Sequence, residues 1–169
     1  MSPLDRAVLA ERTIALRRHL ARVSEKLPAD PAGFTASTDA ADAVILHLWQ
    51  ATQIVIDLAV SACVAHGAGT PQSYADAFRR LQGAGLIDAP LADRLVRAAG
   101  FRNVVAHADE SLDMARVHRA AASGPTDLLA FVAALDSYGA CELKRPPSAS
   151  HRLRDTMGQS TICRHMLCL

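Results

Sequence analysis

The sequence predicts an all-α protein, an antiparallel bundle of five to six helices. Three observations carry this. Apolar residues recur at helical spacing along residues 4–138, no segment alternates as a strand would, and the breaks fall at Gly- and Pro-containing turns. The apolar content points the same way. Half of the 169 residues are hydrophobic and only 4% are aromatic, so Ala, Leu and Val must fill the core, which suits helices packed through small side chains.

The first helix is expected from about Leu4 to Leu27, with Leu9, Ile14, Leu16, Leu20, Val23 and Leu27 as its apolar stripe and Arg and Glu on the other face. "PADPAGF" ends it with two prolines and a glycine. "STDAAD" opens the second helix. Ser37, Thr38 or Asp39 can cap it, and Asp39 and Asp42 favour the positive amino end. It continues to about Ala65, where Gly67 and Gly69 supply the stop.

A third helix covers Gln72 to Gln82, with Tyr74, Ala77, Phe78 and Leu81 on one face, and "GAG" ends it. Asp88 is the expected cap of a fourth helix, Ala89 to about Ala106, with Pro90 tolerated in its first turn. Leu91, Leu95, Ala98 or Ala99, and Arg102 succeed one another along it at helical spacing. A fifth helix is expected from about Asp113 to Ala122. "SGP" at 123–125 breaks it from a sixth, Thr126 to Ser137.

Residues 1–138 thus form one helical domain, and residues 139–169 read as a basic, disordered tail in which Pro, Ser, Arg and Cys replace the Ala/Leu pattern. The tail carries five basic and two acidic residues, the domain thirteen basic and fifteen acidic. A net charge of +1 excludes a global basic field for nucleic acid, so any RNA binding by the domain is local. Ala43 to Ala65 is long enough to span a bilayer, but His47, Gln50, Gln53 and Asp57 fall in or near its middle. A central helix of a bundle or dimer explains it better, and no membrane association is expected. With one Cys in the domain and no apolar core of signal-peptide length, a reduced cytoplasmic setting is expected. Cys163, His165 and Cys168, with Cys141, match no standard zinc spacing, so neither metal nor cofactor is expected.

The informative stretch is "FRNVVAHADE", residues 101–110, at the carboxyl end of the fourth helix. Cleaving RNA without a metal requires a group to take the 2′-hydroxyl proton, a group to protonate the leaving 5′-oxygen, and a cation to stabilise the phosphorane. An imidazole suits the proton steps and a guanidinium fork the last. Asn103 and His107 are four residues apart and share a face. Arg102 and His107 are five apart, roughly 140° around an ideal helix. The long stem of Arg102 can still reach the same spot, or a second copy of the chain completes the site. As an ordinary helix end, the same residues would be a polar edge favoured by the helix dipole. Asp57 faces the cleft or a dimer seam, or pairs with an Arg. His47 and Trp49 read as packing residues, His66 as part of a helix end, and His118 as part of a solvated face.

"GFRNVVAHAD" resembles the R-x4-H signature of the HEPN superfamily in its HepT-like toxin branch. Its setting is similar to the family's order of helices: the preceding "ILHLWQATQIVIDLAV", "SYADAFRRLQGAGLI" and "LADRLVRAAGFRN", and the following "SLDMARVHRA", which resembles the family's next helix. The resemblance covers roughly residues 4–138. It implies an all-helical homodimer with metal-independent endoribonuclease activity, Arg102 and His107 as the catalytic pair and Asn103 in support. It also implies RNA as substrate and an MNT-type nucleotidyltransferase antitoxin as partner. Such partners adenylylate a Tyr two residues after the His. Here that position is Asp109, with no hydroxyl to modify. Its carboxylate either orients the imidazole or repels phosphate. The departure motivates an alternative, a noncatalytic module that binds a nucleotide or RNA and docks the nucleotidyltransferase. A purely structural helical dimer is the remaining reading.

Overall fold

The computed structural model describes residues 6–106 and 112–142, and the described chain contains five α-helices and one 3₁₀ turn. The expectations for the tail beyond Glu142, including the Cys163, His165 and Cys168 cluster, lie outside the described residues. Helix α1 is Arg6–Lys26, α2 Asp39–Ala65, α3 Tyr74–Gly83, α4 Ala89–Ala106 and α5 Met114–Glu142.

In α1 the stripe Leu9, Leu16, Leu20 and Val23 is buried. Ile14 is 70% exposed, contrary to its assignment to that stripe. It precedes Leu16 by two residues, which places it roughly 160° around the helix on the solvent side. After α1 the chain turns at Pro31–Gly33, where the Asp30 carboxylate accepts from the Ala32 N–H, and Phe34 is then buried.

Of the three candidate caps for α2, Thr38 is the one used, its Oγ1 accepting from the Ala41 N–H at 3.2 Å. The other end closes on Gly67, at φ 72°. Its N–H reaches the Val64 carbonyl, and the Ala68 N–H reaches the Cys63 carbonyl, which satisfies two carbonyls the helix leaves open. Gly85, at φ 75°, ends α3 in the same way and delivers buried Leu86 back onto buried Leu81. Asp88 caps α4, its Oδ1 accepting from the Leu91 N–H at 2.8 Å, as the sequence predicts.

Helix α2 is the centre of the bundle, in contact with α1, α3 and α4. Among the described helices it is the one long and apolar enough to cross a membrane by length and composition, and half of its most apolar window is buried in the bundle. One core cluster joins Leu9, Leu16 and Leu20 of α1 to residues 51–63 of α2 and to Phe78, Leu95, Leu128 and Phe131. The rings of Phe78 and Phe131 meet edge to face at 5.7 Å. A second cluster gathers Val23, Phe34, Val44, Leu48, Val117 and Ala121. Cys63 lies fully buried in the first cluster, its thiol donating to the Ala77 carbonyl, and burial pushes its pKa up.

Two polar contacts link elements across the bundle. His118 is buried rather than solvated. Its Nε2–H donates to the Pro28 carbonyl at 2.8 Å, and its ring lies edge-on to Phe34. The period of α5 alone does not show this, because the partner carbonyl belongs to the turn after α1. His19 on α1 and His47 on α2 meet Nδ1 to Nδ1 at 2.9 Å, so one imidazole donates and the other accepts. His47 is thus a packing residue with a partner. Burial first, then His47 and Arg18, lower the pKa of His19 below its ordinary value. A lowered histidine pKa means the unfolded chain binds more protons in mild acid. The contact's stability is therefore present above about pH 6.5 and lost as pH falls below it. Melting temperature is expected to drop between pH 7 and pH 5 more in the wild type than in His19→Gln, as followed by circular dichroism.

The predicted break at "SGP" does not occur: α5 runs unbroken through Pro125. Proline there leaves the Ala121 carbonyl without its helical N–H. The helix persists because both flanks are buried, Val117 and Ala121 in one cluster and Leu128, Phe131, Val132 and Leu135 in the other. Tertiary burial on both sides outweighs a local cost of about 3 kcal/mol. Pro125→Ala should recover that cost less the extra entropy of a freer unfolded chain, about 2 kcal/mol net, read as a higher urea midpoint.

Candidate active site at the end of α4

The buried stripe of α4 runs Leu91, Leu95, Ala99, and its next position is Arg102. A charged side chain therefore continues an apolar seam and emerges half-buried between neighbouring helices. Asn103 lies one step around, exposed.

Three elements hold Arg102. From α2, the Trp49 ring lies under its guanidinium, with Cζ 4.8 Å from the ring centroid. The Gln53 Oε1, one turn further along α2, accepts from Arg102 Nε at 2.9 Å. The ring of Tyr74, the first residue of α3, flanks the same guanidinium at 5.7 Å. Trp49, Gln53 and Asp57 recur every four residues and so line one flank of α2. Asp57 Oδ1 accepts from Gln53 Nε2 at 2.8 Å. A chain of hydrogen bonds thus runs from the exposed Asp57 through Gln53 to Arg102. The Arg102 Nη1 makes a longer contact, 3.4 Å, with Asn103 Oδ1.

The start of α3, and with it Tyr74, is held by its own capping. Ser73 Oγ accepts from the Asp76 N–H at 3.1 Å, and Asp76 Oδ2 accepts from the Gln72 N–H at 2.9 Å. The same carboxylate receives Arg80 Nε at 2.7 Å, and Arg80 Nη1 donates to the Ala68 carbonyl, which ties α3 to the loop from α2. The hydrogen bond from Arg80, followed by that from the Gln72 backbone, holds the Asp76 carboxyl below the usual carboxylate range.

The arrangement suits an oxyanion. Aromatic faces shed water from a guanidinium without neutralising it. A neutral amide, rather than a carboxylate, takes the Nε–H. Among the described residues no carboxylate forms an ion pair with Arg102. A cation held in place yet not cancelled can bind phosphate oxygens through its terminal nitrogens.

Of the site residues expected from the sequence, the structure brings Arg102, Asn103 and, through Gln53, Asp57 together. His107 and Asp109 lie outside the described residues. Asp57 pairs with a glutamine on its own helix rather than directly with an Arg. Trp49 does more than pack, since it underlies Arg102. Gln53 and Tyr74 had no functional signal in the sequence beyond polar or aromatic character, because their link to Arg102 is made across helices. No group of three or more His, Cys, Asp or Glu able to hold a metal ion is found among the described residues.

Comparison with known proteins places the chain in a family. The mRNA nuclease HepT of Shewanella oneidensis is 28% identical over 107 residues, which span 63% of this chain and 80% of that protein. The tri-AMPylated HEPN toxin of Shewanella oneidensis, solved in complex with its MNT antitoxin, superposes with a TM-score of 0.70 at 25% identity. The match covers 77% of this chain and 97% of that one. The cytosolic protein YutE of Bacillus subtilis, of unknown function, matches over 86% of this chain and 98% of its own at a TM-score of 0.72. At 18% identity it shows the common fold alone. Residues 16–135 match the family described as ribonuclease HepT-like, and the chain belongs to that family.

Proposed function

We propose that the chain is an RNA-cleaving toxin of a toxin–antitoxin pair, a metal-independent endoribonuclease using Arg102 and His107. The observation that supports it most is Arg102 itself: half-buried, stacked on Trp49, held through Nε by a neutral amide and unpaired with any described carboxylate. An arginine presented in that way keeps its charge and its terminal nitrogens available to a phosphodiester. In this reading His107 takes the proton of the 2′-hydroxyl. The freed oxygen attacks the adjacent phosphorus, Arg102 stabilises the added negative charge on the phosphorane, and the 5′-oxygen leaves with a proton from imidazolium or water. The products are a 2′,3′-cyclic phosphate and a 5′-hydroxyl. Asn103, beside the guanidinium, is suited to a phosphate oxygen or sugar hydroxyl.

The chain is further proposed to act as a homodimer in the cytoplasm, with an MNT-type nucleotidyltransferase as antitoxin. On α2, Leu46 and Val64 are 54% and 51% exposed, two separate apolar side chains that a second copy would cover. The partner is suggested by the Shewanella toxin solved with its MNT antitoxin. With Asp109 in the position of the modifiable Tyr, control by that partner rests on binding or on another acceptor. The proposal is tested by incubating purified protein with total RNA in excess EDTA. Fragments ending in 2′,3′-cyclic phosphate are expected. RNA that is bound but stays intact would instead establish a noncatalytic binding module, the reading that Asp109 favours.

A further inference from the structure

We propose that Gln53, oriented by Asp57, is a positioning residue that sets which edge of the Arg102 guanidinium faces the scissile phosphate. The proposal rests on the preceding assignment of Arg102 to the phosphate. An amide can present either its oxygen or its nitrogen, and only the oxygen can accept from Arg102 Nε. An ionised carboxylate accepts and cannot donate. Asp57, receiving Gln53 Nε2 at 2.8 Å, therefore turns Oε1 toward Arg102, where it meets Nε at 2.9 Å. With Nε occupied and the Trp49 ring lying 4.8 Å below the guanidinium, rotation about the last bonds of the arginine is restrained. The terminal Nη1 and Nη2 are left for phosphate. The weak 3.4 Å contact from Nη1 to Asn103 is easily given up when an anion arrives.

The use of a glutamine here is itself informative. Glutamate at this position would hold Nε just as well but would cancel the charge on which phosphate binding depends. Asp57 is kept one helical turn away, exposed, where it controls the amide without pairing with Arg102. The relay therefore separates the task of orienting the guanidinium from that of compensating its charge.

The test uses the full chain and an end-labelled oligoribonucleotide spanning a site cut in total RNA, under single-turnover conditions in EDTA. A version with 2′-deoxyribose at the cut site measures binding. Gln53→Met keeps volume and helix propensity but removes the acceptor. It is expected to slow cleavage about tenfold while binding of the deoxy analogue changes little, as misorientation of a bound group predicts. Asp57→Asn should slow cleavage by a smaller factor, because its amide no longer forbids the flipped Gln53. The double variant should be no slower than Gln53→Met alone, since Asp57 acts through Gln53. Gln53→Glu should slow cleavage and also weaken binding. Its dependence of log affinity on log salt should fall by about 0.7, the slope of one phosphate contact on single-stranded nucleic acid. Circular dichroism melts establish that each variant is folded. Cleavage by Gln53→Met at the wild-type rate, or losses that multiply in the double variant, would overturn the relay. Arg102→Ala in the same assay separates this failure from a wider one. If it too cleaves at the wild-type rate, the assignment of Arg102 is wrong; if it is inactive while Gln53→Met is not, only the positioning role falls.

Discussion

His107→Ala is expected to abolish RNA cleavage in EDTA, with a loss of about 10²–10⁴-fold, while the melting curve stays that of a folded helical protein. The reasoning is chemical. A 2′-hydroxyl is a poor nucleophile until its proton is removed, and the described site offers a cation and amides but no base in contact with Arg102. The imidazole five residues on is the group in the R-x4-H pattern able to take and return a proton near neutral pH. His107→Gln sharpens the result, because glutamine preserves hydrogen bonding but transfers no proton. Both variants should still bind the deoxy analogue. Undiminished cleavage by either would remove His107 from the chemistry.

Arg102→Ala is expected to cost about 10²–10³-fold, the range found when a single group stabilising a developing oxyanion is removed. The effect should fall on the cleavage step more than on affinity, because the phosphorane carries one negative charge more than the ground-state diester. Arg102→Lys is the more searching substitution. Lysine keeps the positive charge, yet its ammonium has no equivalent of the Nε–H that binds Gln53, nor a planar fork to lie over Trp49. Most of the loss should therefore persist in Arg102→Lys. Full recovery by lysine would mean that charge alone matters and that the shaped cradle around Arg102 serves stability. Single-turnover rates across the two variants decide between these outcomes.

The parts of this site that a linear reading reveals are those whose partners lie within a helical turn. Thr38 and Asp88 cap their helices through N–H groups three residues on; side-chain type and the onset of an apolar period give Asp88 directly and narrow the α2 cap to Ser37, Thr38 or Asp39. Arg102 is conspicuous because it occupies the position after Leu91, Leu95 and Ala99 on a buried seam. The contacts that give Arg102 its character are different. Gln53 precedes it by forty-nine residues, and Trp49 and Tyr74 reach it from two other helices. Nothing in a helical period says which turn of α2 will lie beside the end of α4. The same holds for His118, whose polarity suggested solvent until the Pro28 carbonyl supplied its partner. Pro125 shows the converse, a strong local signal overruled because hydrophobic surface on both of its flanks is committed to the core.

The seclusion of Cys63 makes it a built-in reporter of breathing between the second and third helices. A thiol that is shut away and reluctant to ionise reacts with alkylating reagents only when those helices part. In a chain whose other three cysteines are replaced by serine, the labelling rate of this single sulfur would therefore time that opening in native buffer. Mass spectrometry would read it out without denaturant.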